Sequence, residues 1–277
     1  MKAKYFLGVD PAPSEGQFSD DGALVVGKAT PKGEPSKHWS DWNFDYVYAR
    51  RLTSREKATT RQWSGIIHTL ERRFGFEKIV MDPSGGGTFV QRDLLAEKQL
   101  IEGVEMTATP IGDLVTGMTK VVHGRFNLHM FKRGDTGLDA LWPGLGGDEL
   151  LLDAIYSALK MAFDCGTIGL VPRVKTMRTG EQGAVFDAFA AEQQWAYKNL
   201  DALVEQLLGI TVATKESQSK EEVIYALTKR GAHQFDSVGK KDFVSAALFA
   251  YAGFLVWLNE GAWDEVPEEA GGSIMSF

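Results

Sequence analysis

Apolar residues run without a break from Tyr5 to Val9, and the run stops at a carboxylate, Asp10. A continuous apolar run of this length, bounded by a turn signal, predicts a strand buried on both faces. Ala23–Lys28 predicts a second strand. "NFDYVYARRL" predicts a third, with aromatic and Val side chains at every second position. The acidic segment carrying Glu15, Asp20 and Asp21 joins the first two strands as a long hairpin. The period then changes. In "TSREKATTRQWSGIIHTLERRFG", Trp63, Ile66, Ile67 and Leu70 recur at helical spacing, Thr53 or Ser54 is placed to cap the start, and Gly75 stops the run.

Beyond Gly75 the pattern alternates. "EKIVMD" predicts a short buried strand, "GGTFVQRDLLAEKQL" a helix entered through glycines, and "VEMTATPI" a further strand. Strand–helix–strand–helix–strand order predicts parallel pairing in an α/β layer. "GRFNLHMF" reads as a strand and "GDELLLDAIYSALKMAFDCG" as a helix. "IGLVPRVKTMRTGEQGAVFD" reads as a loop or hairpin excursion rich in Gly and Arg. Three more segments follow: a long helix, "AFAAEQQWAYKNLDALVEQLLG", closed by Gly209; a strand, "ITVAT"; and a helix, "SKEEVIYALTKRG", with a Ser219–Glu222 capping box. The last element is the apolar helix of "KKDFVSAALFAYAGFLVWLNEG". No repeat or low-complexity linker divides the chain, so one domain over 1–265 is expected, followed by an acidic, then small-residue tail over 266–277.

Composition narrows this only slightly. The 277 residues are 44% hydrophobic and 24% charged, ordinary for a globular chain. A single cysteine, Cys165, excludes an intrachain disulfide framework or a multi-cysteine zinc site and fits a reducing cytoplasm. No basic segment followed by an apolar one opens the chain as a secretory signal would. Phe243–Leu258 is the longest apolar run, short of the ~20 residues that span a bilayer, and is expected to be a core helix. A net charge of −7 opposes general affinity for nucleic acid but leaves room for a basic groove on an acidic body. Its sources would be Arg50 to Arg61, Arg125 with "FKRG", "PRVKTMR", and Lys240 with Lys241.

Three carboxylates stand where sites gather. Asp10 and Asp82 each end a buried strand, and Asp242 heads the late apolar helix. Taken singly, each has an ordinary explanation: Asp-Pro starts turns, and aspartate suits a helix N-terminus. Taken together, they predict convergence if the first and fourth strands are neighbours, because α/β sites collect at strand ends. Clustered carboxylates repel unless cations neutralise them, and hard divalent ions favour such oxygen donors. Two ions ~4 Å apart clamp the attacking and leaving oxygens of an in-line phosphoryl displacement.

"FLGVDPA", "IVMDPSGGGTFVQRDLL" and "KKDFVSAALFAYA" resemble the three acidic motifs of the nuclease domain of tailed-phage large terminases, of the RNase H/RuvC-like group. The second is the most specific, with Asp directly after a strand, a Gly-rich turn and an Asp-Leu-Leu helix behind it. The resemblance implies an RNase H-like α/β fold, a central mixed sheet flanked by helices. It implies a metal-dependent endonuclease that cuts concatemeric viral DNA in the host bacterial cytoplasm, with no membrane role. Asp10, Asp82 and Asp242 would be the catalytic ligands of two Mg²⁺ or Mn²⁺ ions. Asp21 (or Asp20), Asp236 and His233 are accessory ligand candidates. Arg173, Lys175, Arg178, Lys240 and Lys241 are candidate contacts to double-stranded DNA. An ATPase motor domain, a small terminase subunit and a portal or procapsid are the implied partners.

One departure stands out. No G-x-x-x-x-G-K-[ST] loop is present, and "GGGT" lacks the phosphate-reaching lysine, so the chain is expected to be the nuclease half of a longer protein. Three rival readings stay open: a RuvC-like junction resolvase or other RNase H-like nuclease, an actin-like ATPase, and a module that binds DNA or capsid without cutting.

Overall fold

A computed structural model of the chain describes residues 2–11, 21–52, 59–82, 87–101, 103–111, 128–130, 151–170, 191–208, 210–216, 221–227 and 242–261. Its centre is a six-stranded mixed sheet. β1 (Lys4–Asp10), β2 (Gly22–Pro31) and β3 (Trp42–Leu52) form an antiparallel meander. On the other side of β1 lie β4 (Phe76–Met81) and then β7 (Leu128–Met130), both parallel to it. The far edge is β8 (Ile168–Leu170), parallel to β3. The order β7-β4-β1-β2-β3-β8 makes β1 and β4 neighbours, as convergence of their terminal carboxylates requires. This is the mixed α/β sheet flanked by helices expected of an RNase H-like fold.

The pleat sorts the side chains into two cores. Phe6, Ala23, Val25, Phe44, Tyr46 and Val80 face one way, toward α3 (Leu151–Asp164), α4 (Ala191–Leu208) and α5 (Asp242–Asn259). Leu7, Val9, Leu24, Val26, Ile79 and Met81 face the other way, toward α1 (Thr60–Phe74) and α2 (Gly87–Leu94). Because both faces are covered, the strands read as continuous apolar runs. The apolar run at 243–258 is indeed a core helix. α5 is buried along nearly its whole length, with Phe254 and Trp257 packed edge-on against Phe6 and Trp42.

Several local expectations are corrected. α1 starts later than predicted: Thr59, not Thr53 or Ser54, is the N-cap, in a reciprocal capping box with Gln62. Gly75 ends the helix as expected, in the left-handed region at φ 65°. The helix behind the glycines stops at Leu94, and Lys98–Ile101 instead forms β5, paired with β6 (Val104–Thr107) in a separate hairpin. The predicted helix at 219–231 is a strand where it is described: β10 (Glu221–Leu227) pairs along its length with β9 (Ile210–Glu216). Val223, Ile224 and Tyr225 favour a strand, and cross-strand pairing overrides the helical preference of their neighbours.

Candidate active site

β1 and β4 run in register, Val9 opposite Met81, and the Asp82 amide donates to the Val9 carbonyl at 3.1 Å. Asp10 and Asp82 therefore leave the sheet side by side, on adjacent strands ~4.8 Å apart. Side chains alternate with a period of two, so Asp10 shares a face with Phe6 and Gly8, and Asp82 shares it with Val80. That face is the one α5 covers.

Gly8 explains how closely. A Cβ there would lie 1.8 Å from the Ala246 carbonyl oxygen and 2.4 Å from the Ala250 amide nitrogen, so only glycine lets the helix backbone rest on β1. Farther along, Gly253 rests on Lys78, Val80 and Phe6. α5 thus runs antiparallel to β1, its N-terminus toward Asp10. From Ala246 to Asp242 is about one helical turn, ~6 Å; from Gly8 to Asp10 is two strand residues, ~7 Å. Both steps lead to the same corner. Asp242 is 7% exposed there. The next amide, that of Phe243, donates to Gln206 Oε1 of α4 at 3.1 Å, so a side chain of the neighbouring helix satisfies one of the orphan donors of α5.

Two further contacts stiffen the corner. The Tyr46 hydroxyl donates to the Ala247 carbonyl at 3.1 Å. Burial pushes the phenols of Tyr46 and Tyr251 above their ordinary range, so both remain neutral packing and donor groups. At the head of α2, a Cβ on Gly87 would stand 1.8 Å from the Asp82 carbonyl oxygen, so that glycine admits the helix against the end of β4.

Asp21 immediately precedes β2, two residues before Ala23, the partner of Asp10, and so borders the same corner. Asp20, His233 and Asp236 lie outside the described residues, as do Arg173, Lys175, Arg178, Lys240 and Lys241. Among the described residues, no group of three or more His, Cys, Asp or Glu side chains has the spacing to hold a metal ion. What the fold brings together is the backbone positions and the sheet face of Asp10, Asp82 and Asp242. Carboxylate oxygens are hard donors, of the kind that divalent cations such as Mg²⁺ favour. Sequence reasoning missed the two residues that seat α5, Gly8 and Gln206. A glycine inside an apolar strand was a visible signal of close backbone approach; Gln206, on an amphipathic helix, carried no signal.

No family model matches the chain, and no curated protein matches it. Among solved structures, it is similar to the nuclease domain of the large terminase subunit gp2 of bacterial virus Sf6. The TM-score is 0.45 at 15% identity, over 90% of this chain and 89% of that one. A point mutant of gp2c of the large terminase subunit of bacteriophage Sf6, with calcium, gives the same values. A mutant of that nuclease domain with manganese gives 0.43 at 12% identity, over 89% and 87%. The likeness spans most of both chains, but at this score and identity it transfers neither activity nor site residues.

Proposed function

We propose that this chain is a metal-dependent endonuclease that hydrolyses phosphodiester bonds of double-stranded DNA, and that it serves the cutting of concatemeric phage DNA during genome packaging. The observation that carries this reading is the meeting of three distant segments at one sheet end: Asp10 and Asp82 on adjacent parallel strands, and Asp242 at the head of a helix seated on the same face. Carboxylates held together at such a corner would repel one another, and divalent cations would remove that cost.

In this reading Asp10, Asp82 and Asp242 would hold two Mg²⁺ or Mn²⁺ ions, with Asp21 and Asp236 as accessory ligands. When bound, the ions supply a lowered pKa for the attacking water and charge stabilisation for the departing 3′-oxygen. The chain itself orients the ligands. The Asp82 amide is tied to β1, and the backbone beside Asp242 is tied to Gln206. Arg173, Lys175, Arg178, Lys240 and Lys241 are assigned to the DNA backbone. An ATPase motor, a small terminase subunit and a portal or procapsid are assigned as partners in the host cytoplasm.

Plasmid nicking in Mg²⁺ and in Mn²⁺ tests the reading. Asp82→Asn should reduce nicking by a factor on the order of 10³ while leaving the thermal midpoint within about 2 °C, since the substitution removes a charge and little volume. Wild-type nicking by that variant would overturn the assignment. Faster cutting of branched than of linear duplex would move the substrate to DNA junctions.

A further inference from the structure

We propose that the exposed side of α2, Phe89 with Arg92, is a docking surface for the backbone of duplex DNA beside the carboxylate corner, an assignment that rests on the nuclease reading above. Placement carries the argument. α2 begins where β4 ends: a Cβ on Gly87 would meet the Asp82 carbonyl oxygen at 1.8 Å, so the head of the helix is seated against the strand end that carries Asp82. Phe89 and Arg92 follow two and five residues later, ~3 Å and ~7.5 Å along the helix axis. The longer step is close to the rise of two nucleotides, ~7 Å, so a DNA strand that crosses the corner reaches both. Helical side chains lean toward the N-terminus, here toward the corner.

The helix divides its residues by face. Gly87, Val90 and Leu94 are buried, the last two in the core shared with α1. Phe89 and Arg92, three residues apart, are neighbours on the opposite side. Phe89 is 63% exposed, and Arg92 is exposed as well. An exposed ring alone marks nothing. Here it lies beside a cation: among the described residues, no ion pair or hydrogen bond engages the Arg92 guanidinium. Asp93, the carboxylate next to it in the chain, instead accepts from the Thr60 hydroxyl of α1 at 2.5 Å.

Charge and apolar surface together select the partner. A polyanion approaching an acidic corner on a chain of net charge −7 needs a local cation outside the cluster. The guanidinium fork of Arg92 matches a pair of phosphate oxygens. The Phe89 ring beside it offers an apolar face to the deoxyribose that links one phosphate to the next. Contacts of both kinds, to phosphate and to sugar, position a duplex without reading its sequence. Arg72 supplies the internal comparison. It is likewise exposed, but it stands in the last turn of α1, before β4 begins, at the opposite end of the sheet from the carboxylates, with Nη1 3.6 Å from Met106 Sδ.

The experiment is binding of a short fluorescent DNA duplex, in Ca²⁺, at several salt concentrations. Arg92→Ala should weaken binding about fivefold and lower the slope of log K against log salt by about one. Arg92→Lys should recover the slope but only part of the affinity, because a point charge replaces the fork. Phe89→Ala should weaken binding about threefold and leave the slope unchanged, since an apolar contact releases no counterion. Arg72→Ala should change affinity less than about twofold. Equal effects of Arg92→Ala and Arg72→Ala, an unchanged slope in Arg92→Ala, full affinity in Phe89→Ala, or no duplex binding by the wild-type chain would each overturn the assignment. The nicking test is separate. Loss of nicking in Asp82→Asn with Arg92→Ala behaving like Arg72→Ala sinks only the docking surface. Undiminished nicking in Asp82→Asn sinks the nuclease reading, while selective effects at Phe89 and Arg92 would still mark a DNA-binding face.

Discussion

The two ends of α5 carry opposite solutions to the problem of a charge at the edge of a core. At the C-terminal end, Lys78 of β4 is fully buried and its ammonium is paired with Glu260, just past the helix. At the N-terminal end, the helix start that carries Asp242 is seated on the sheet face shared by Asp10 and Asp82. One end is an ion pair of opposite charges; the other turns residues of one sign toward the same sheet end. Gly8 and Gly253 fix the helix between them. In the proposed reading, stability belongs to the seat and the paired end, and chemistry to the acidic end.

The largest effect should come from the acidic end. Asp242→Asn should lower nicking by a factor on the order of 10²–10³, above the 10–100-fold expected of a supporting residue, with unfolding stability equal to or above wild type. Asparagine matches aspartate in size, and the Phe243 amide keeps its bond to Gln206, so the helix start survives the change. A large loss of stability in this variant would show that Asp242 is structural, and would erase the contrast between the ends.

Next comes the seat between them. Gly8→Val places side-chain atoms where the Ala246 carbonyl lies, and should destabilise the fold by about 3 kcal/mol or more as α5 is pushed from β1. Denaturant midpoints measure it, and a change under about 1 kcal/mol would show that the helix is not held at this crossing.

The smallest effect belongs to the paired end. Glu260→Gln should cost about 1 kcal/mol at neutral pH, because Glu260 is 43% exposed and solvent screens the pair. Burial holds the Lys78 ammonium below the ordinary lysine pKa, and Glu260 opposes that shift. Between the folded and unfolded values the unfolded chain binds more protons, so stability rises with pH through that window. Losing Glu260 extends the window downward, and the deficit of the variant should shrink as pH approaches about 10. Lys78→Met should be close to neutral at pH 7, since replacing a buried charge by a packed apolar chain often is. A deficit in Glu260→Gln that stays constant with pH would remove Lys78 from the account.

Much of this contrast was legible in the sequence, and its gaps have physical causes. β1, β2, β3, β4 and α5 stood out because their apolar runs are long and their faces buried. The meeting of Asp10 and Asp82 followed once β1 and β4 were taken as neighbours. Segment 221–227 was misjudged because Glu, Ala and Leu favour a helix, and only pairing with β9 decides otherwise. The true cap of α1 was obscured because several Ser and Thr residues precede it, and hydrogen bonding to Gln62 selects Thr59. Phe89 and Arg92 were visible only as members of a helix. The side they take depends on Val90 and Leu94 turning inward, which the pattern of so short a helix does not decide.

The last described helix has a consequence in time as well as in space. During synthesis, Asp82 is made 160 residues ahead of Asp242, roughly ten seconds at usual elongation rates. Through that interval a nascent chain can pair β1 to β4, yet Phe6, Trp42 and Phe44 wait uncovered, and the third carboxylate does not exist. A product truncated before α5 would therefore be sticky. Synthesis of this helix thus closes the core and, in the proposed reading, licenses the cutting.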